Sequence, residues 1–345
     1  MKRNVLIRAV VAFVALTAGI SGLVSQSAHA QATNASAAQG IQISPALAQL
    51  NGDPGKSYTV KVTVTNVTSS DLVYTTTIDD FKAKNESGTP EILTNDTLPP
   101  TASIRTWVQA LPQFNVGPQQ EKVINAVINI PANAEPGGHY GVIQFTGSAP
   151  DLQSTGVGLS VSAGLLVLIR VSGDINESAD LASFSTTTPK ENQTFFFETG
   201  PINFVTRIRN TGNVYIAPQG TIELANMFGK VISTMKVNSD GSNVLSDSIR
   251  RFENTYTKTW MFGRYTADLT LGYGTKGEAI TGETSFWVIP YRLILVSLLI
   301  VATVVFVLSR VIKMYNNYII EAAKKQNEKK PNEKKSKSKT TTKKK

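Results

Sequence analysis

Residues 293–309 form an apolar run without a single charge, and Val311 and Ile312 extend it past Arg310. About 20 helical residues rising about 1.5 Å each match the ~30 Å hydrocarbon core of a bilayer. Trp287 and Tyr291 stand where an interfacial aromatic belt would lie, and Pro290 suits a helix start. The run predicts a membrane-spanning helix over 290–312, which leaves everything before it on one side of a membrane.

The amino terminus predicts which side. Lys2, Arg3 and Arg8 precede an apolar stretch over 9–24, and Ala28-His29-Ala30 is a small-x-small cleavage site. Residues 1–30 therefore read as a secretory signal peptide, with Gln31 as the new first residue. The tail, 313–345, is Lys-rich. From Arg310 onward there are thirteen Lys and Arg against Glu321, Glu328 and Glu333, a balance of +10. The signal region holds +3 and the whole chain +9, so residues 31–309 carry −4. The basic character belongs to the tail, which excludes a nucleic-acid reading of the folded part. By the positive-inside rule the tail is cytoplasmic and the ectodomain lies outside. Val311, Ile312, Tyr315, Ile319 and Ala322 can form an apolar stripe along the inner leaflet, and from Lys324 on the composition is that of a disordered polycation. The tail either binds anionic lipid or only fixes topology.

There is no cysteine, so the ectodomain is held by its own cores, and the zero count favours a bacterial envelope. Six Asn-x-Ser/Thr sites, at Asn34, Asn66, Asn85, Asn95, Asn176 and Asn192, read as surface loops rich in those residues.

Residues 31–39 form a small-residue linker. Then the period becomes two: Tyr58, Val60, Val62 and Val64 alternate with Thr59, Lys61, Thr63 and Thr65. Further strands are predicted at 41–43, 72–78, 124–130, 142–145 and 157–171, with turn clusters at 53–55, 117–118 and 136–138. A second unit has strands at 181–185, 202–209, 220–224, 230–237, 265–271 and 285–289. Short strands, frequent turns and no helix before the membrane predict an all-β fold of two tandem Ig-like antiparallel sandwiches, over 40–173 and 174–288. Two stretches repeat between the units. VTVTNVTSSDLVY (62–74) parallels VTRIRNTGNVY (205–215), and PGGHYGVIQF (136–145) parallels MFGRYTADLTL (261–271). In the second pair, Tyr140 and Tyr265 each follow Gly-x at the start of a strand. That is the place of a corner tyrosine, whose hydroxyl bonds a backbone group a few residues upstream. On that reading His139 is an exposed turn residue.

This layout resembles the WxL-interacting proteins of Gram-positive surfaces. The likeness is carried by Ile41-Gln-Ile43-Ser-Pro45 and by Ile130-Pro131-Ala-Asn-Ala-Glu-Pro136-Gly137 leading into Tyr140-Gly141. In the second unit it is carried by Arg209-Asn210-Thr-Gly212-Asn213-Val214 and by Met227-Phe228-Gly229-Lys230. The resemblance implies a first module that engages peptidoglycan and a second that engages a protein partner or host matrix.

An enzyme would need chemistry that the residues do not offer. With the signal peptide removed, His139 is the sole imidazole, and there is no thiol, so Cys-His pairs are excluded and His/Cys zinc sites lack ligands. Asp79 and Asp80 are adjacent on a strand and so point to opposite faces. Asn238-Ser-Asp240-Gly241-Ser-Asn243 lacks the alternating acids of a calcium loop and reads as an Asp-Gly hairpin. Leu98-Pro-Pro-Thr-Ala102 reads as a loop rather than a sortase signal. No catalytic, cofactor or metal site is assigned. The function expected is that of a non-enzymatic, single-pass bacterial surface protein. Its ectodomain would bind a peptidoglycan-like polymer or a surface protein. The alternative is a scaffold subunit of a membrane-attached assembly.

Overall fold

The computed structural model describes residues 40–329 apart from 95, 97, 100–101, 150–159, 189 and 191, and of 326–329 the backbone alone. The expected signal peptide, the 31–39 linker and the end of the tail lie outside the described residues.

The first module contains β1 (Ile41–Ser44), β2 (Leu47–Gly52), β3 (Ser57–Asn66), β4 (Leu72–Lys84), β5 (Thr89–Leu93), β6 (Phe114–Val116), β7 (Glu121–Asn129), β8 (Gly137–Ser148) and β9 (Val161–Val171). One sheet runs β1-β3-β7. The other runs β2-β9-β8-β4-β5, with β6 also on β4. The second module contains β10 (Ala179–Thr187), β11 (Phe196–Phe197), β12 (Ile202–Asn210), β13 (Gln219–Asn226), β14 (Val231–Val237), β15 (Ile249–Tyr256), β16 (Gly263–Tyr273) and β17 (Glu278–Val288). Its sheets run β10-β12-β15 and β11-β17-β16-β13-β14. Apart from β6, the two topologies correspond strand for strand. In each, a three-stranded sheet faces a larger one, and a short strand adds in parallel to the last: β2 on β9, and β11 on β17. The fold is all-β, two Ig-like sandwiches in tandem, followed by one apolar helix.

Alternation builds each core. Val60, Val62 and Val64 point inward from β3 while Thr59 and Lys61 face out. They meet Tyr74, Phe145, Leu165 and Ile128 in one core; Phe204, Ile208, Ile222, Leu269 and Phe286 form the other. Full burial of each such side chain contributes about 1.5–3 kcal/mol, which lets a chain without disulfides hold two cores.

The repeated Asn-turn has a physical basis. Asn66 and Asn210 end equivalent strands and are fully buried. Asn66 Nδ2 donates to the Ser70 and Val116 carbonyls at 2.7 and 3.0 Å, and its Oδ1 accepts from the Thr68 amide at 2.9 Å. Asn210 Nδ2 donates to the Val214 and Val244 carbonyls at 2.8 and 2.9 Å, and its Oδ1 accepts from the Gly212 amide at 2.9 Å. One amide thus closes the turn and ties it to a distant segment. Asn66 is therefore no surface-loop residue, contrary to the reading of its Asn-x-Thr site.

After Pro290 the chain enters α1 (Tyr291–Lys329), 39 residues or about 58 Å. Residues Tyr291–Lys325 are long and apolar enough to cross a membrane. The helix continues past Ile312, where a tail was expected, and past Lys324, where disorder was expected. Ile312, Tyr315, Ile319 and Ala322 recur at helical spacing, and Glu321 stands one turn before Lys325, a pairing that favours the helix.

Candidate functional site

The stretch PGGHYGVIQF sits at the junction of the two modules. Gly137 has φ +132°, and a Cβ there would come within 2.7 Å of the Asn213 carbonyl. That carbonyl accepts a hydrogen bond from the Gly138 amide at 2.7 Å. A Cβ on Gly138 would run into the Tyr140 hydroxyl. The two glycines are there because the second module's Asn-turn and the Tyr140 ring both approach this backbone.

Tyr140 is not a corner tyrosine. Its hydroxyl shares a 2.9 Å hydrogen bond with Ser246 Oγ and receives the Ser246 amide at 3.4 Å, across the junction. Its ring packs with Phe81, Val142 and Leu168 of its own module and with Tyr215 and Leu245 of the other. Burial raises the Tyr140 pKa, so the hydroxyl stays protonated. Tyr265 does form the local corner, accepting from the Phe262 amide at 3.2 Å. One local pattern has two outcomes because only Tyr140 meets a second module.

Around this core the contact is polar. The β4–β5 hairpin reaches the second module, where Glu86 pairs in bidentate fashion with Arg207 and its carbonyl accepts from the Arg251 amide at 2.8 Å. The Arg207 hydrogen bonds hold the Glu86 carboxyl below the usual range. The connection between modules is clamped as well. Glu177 takes Arg170 at 2.6 Å and the Thr275 amide at 2.7 Å. Burial alone would raise its pKa, but these partners hold it down. Asn213 Nδ2 donates to the Asp174 carbonyl at 2.9 Å.

His139 is 1% exposed and lies within β8, so the exposed-turn reading is wrong. Its ring packs on Trp107, centroids 4.4 Å apart, and Nε2–H donates to the Glu135 carbonyl at 2.9 Å. Burial lowers its pKa, only partly opposed by Glu135 and Ser103. The sign follows. The unfolded chain binds this proton more readily, so the stability contributed by neutral His139 is complete above the ordinary value of 6.5 and is lost as pH falls below it. The slope is at most about 1.4 kcal/mol per pH unit. Glu86 and Glu177, both lowered, act in a separate window, losing their contribution as pH falls below 4.5. Thermal unfolding of the detergent-solubilised chain between about pH 5 and about pH 7.5 will therefore show a falling midpoint on acidification. His139→Phe will flatten it. An unchanged slope in that variant would place the titrating group elsewhere.

The other sequence candidates are spent on folding. Arg105 donates to Asp79 at 2.6 Å, and Asp80, fully buried, accepts from Ser103 Oγ at 2.7 Å and the Leu98 amide at 3.1 Å. Both carboxylates shape the segment after β5. In the Leu98–Ala102 stretch the Ala102 amide donates to the Pro99 carbonyl at 2.8 Å. In the 238–243 loop, Asn238 Nδ2 donates to the Pro218 and Ser242 carbonyls at 2.7 and 2.9 Å, so its own side chain organises the turn. This loop is no hairpin: β14 pairs with β13 and β15 with β12, so the chain crosses between sheets there. Among the described residues no group of three or more His, Cys, Asp or Glu could hold a metal. A cleft of about 210 Å³ opens between Leu47, Phe81 and Pro90 on one side and Leu245 and Arg250 on the other. It is smaller than the ~300 Å³ at which small-molecule sites begin. Its one cation, Arg250, is committed to the Asn243 carbonyl at 2.6 Å.

No protein-family description matches this sequence, and no curated protein matches it. Solved structures do align. The class 5 fimbriae chaperone CfaA is 12% identical over 71% of this chain and 98% of its own, with a TM-score of 0.38. The E. coli chaperone DraB is 14% identical over 72% and 96%, at 0.33. A protein of unknown function from Porphyromonas gingivalis W83 is 11% identical over 71% and 100%, at 0.29. At such scores the fold rests on the strand pairing itself.

Proposed function

We propose that this chain is a non-enzymatic, single-pass surface protein of a bacterial envelope, with its two modules outside and the lysine tail in the cytoplasm. It acts as a rigid arm that receives a protein partner by strand addition. The observation that carries this reading is β14, a seven-residue strand at the edge of the five-stranded sheet. An open edge offers backbone donors and acceptors for an incoming strand. On β14 the Asn254 side-chain amide takes only the Lys236 carbonyl, at 2.7 Å. The other edges are shorter or, like the nine-residue β10 with the Thr194 amide on its Thr186 carbonyl at 3.1 Å, already engaged in part. The β7 edge is bridged by the Gln109 amide on the Val127 carbonyl and the Asn129 amide on the Trp107 carbonyl; β15 receives the Glu86 carbonyl. The small cleft and the committed carboxylates support a surface rather than a pocket as the working part. The likeness to WxL-interacting proteins supports the same placement, with a protein partner on the second module and envelope polymer as the first module's ligand.

A photo-crosslinking residue in place of Thr234, exposed on β14, tests this in cells, with Lys61 on central strand β3 as control. A discrete envelope protein captured from position 234 and not from position 61 is expected. Retention on purified sacculi without such capture would overturn the strand-addition reading and favour a polymer ligand. Capture only through α1 would favour the scaffold alternative.

A further inference from the structure

Among the described residues, eight of the ten large apolar side chains that the two modules expose are Phe195, Phe196, Met227, Phe228, Val231, Trp260, Phe262 and Trp287; the other two are Leu47 and Val123. Strand directions place all eight at one end of the second module. Gly263 opens β16 opposite Val288, which closes β17. Asn226 closes β13 opposite Tyr265, so the 226–230 turn lies at the same end. Phe196 pairs with Trp287, and the Trp287 amide donates to the Phe195 carbonyl at 2.7 Å. The 257–262 connection leads directly into β16. Tyr291 begins α1 three residues after Val288, about 10 Å away at strand rise.

We infer that the loops 195–201, 226–230 and 257–262 form a lipid-docking surface that seats the second module in the interfacial zone of the leaflet where α1 enters. Continuity decides the occupant, because a helix that enters the bilayer at Tyr291 brings these tips to its surface. Their chemistry fits that zone. Phe228 is 84% exposed and Trp260 69%, a cost in water that is relieved at the headgroup–acyl boundary, where Trp and other amphipathic aromatics concentrate. Lys230, Lys258 and Arg264 sit on or beside these loops, against one carboxylate, Glu198, which Arg292 engages at 3.4 Å. Such a balance suits anionic headgroups. Docking would hold the rigid two-module arm at a set angle instead of leaving it to pivot on Pro290.

The inference rests on the membrane-spanning reading of α1, and one experiment separates the two. The chain has no cysteine, so single nitroxide labels can be placed through Phe228→Cys, Trp260→Cys, Val304→Cys in the helix, and Lys276→Cys on the β16–β17 turn at the opposite end. In bilayers of phosphatidylglycerol and phosphatidylcholine, collision with oxygen and with a water-soluble nickel chelate is measured. The oxygen-to-nickel ratio at 228 and 260 is expected to exceed that at 276 several-fold and to approach that at 304. Aqueous behaviour at 228 and 260 with a buried 304 would overturn the docking surface alone. Shielding of 228 and 260 from both reagents would also overturn it, in favour of a protein contact. An aqueous 304 would remove the membrane-spanning reading beneath it.

Discussion

Tyr140→Ala will unlock the two modules from each other while leaving both sandwiches folded. The ring fills the junction between Phe81 and Leu168 on one side and Tyr215 and Leu245 on the other. Truncating a buried aromatic costs about 3 kcal/mol or more. The remaining junction contacts are weaker. The Glu86–Arg207 pair is about one-third exposed at each side chain, and pairs of that kind contribute about 1 kcal/mol or less. Paired spin labels at Lys61 and Lys276, one in each module, will give a narrow distance distribution in the parent chain and a broad one in Tyr140→Ala. Tyr140→Phe loses only the Ser246 hydrogen bond, about 1 kcal/mol, and keeps the narrow distribution. Tyr265→Phe costs a similar amount, but its bond to Phe262 is local and the distance will not change. Salt at about 1 M, where the screening length is about 3 Å, will leave the parent distribution narrow. A narrow distribution in Tyr140→Ala would mean that the hairpin and the clamped connection hold the arm without the aromatic core.

The strands and the helix were legible because both signals are local. Alternation from Tyr58 to Val64 is read over seven residues, and the uncharged run ending at Ser309 over seventeen. β15 was not legible: Ile249–Tyr256 contains two arginines and a glutamate, because one part of it faces Glu86 of the other module and another faces solvent. β2 escaped for a related reason. It lies at a sheet edge, pairs in parallel with β9, and buries little beyond Ala48 and Gly52. His139 and Tyr140 were misread for want of distant partners. Trp107 lies far back along the chain, and Ser246 is separated from Tyr140 by 106 residues. The aromatic turns were visible as apolar residues in turn positions. Only the strand directions show that FFF, MF and WMF share one end.

Asn210→Ala will markedly destabilise the second module. The side chain serves three buried backbone groups at once: the Val214 and Val244 carbonyls and the Gly212 amide. Alanine strands the Val214 carbonyl, at about 1–3 kcal/mol. It takes one of two partners from each of the others, since the Val244 carbonyl also accepts from the Ile216 amide at 3.1 Å and the Gly212 amide also donates to the Ser178 carbonyl at 3.0 Å. A combined loss of about 2–4 kcal/mol is a sizeable part of the roughly 5–15 kcal/mol that holds a domain. Asn210→Asp keeps an acceptor for Gly212 but loses both donors, so it will recover little. Asn66→Ala will cost a similar amount, about 2–3 kcal/mol, chiefly at the buried Val116 carbonyl, because Ser70 lies on an exposed turn where water can replace the amide. The chain's tryptophans read the modules separately: Trp107 reports the first, Trp260 and Trp287 the second. Denaturant titration in detergent, with parent and single-tryptophan backgrounds, will shift the Trp260 and Trp287 transition to far lower denaturant in Asn210→Ala. The exposed Asn192→Ala, as control, will move it by no more than about 0.5 kcal/mol. If Asn210→Ala behaves like Asn192→Ala, the buried amide does not close the turn. The strand–Asn–turn repeat would then be a coincidence of sequence rather than the device that ends equivalent strands in both modules.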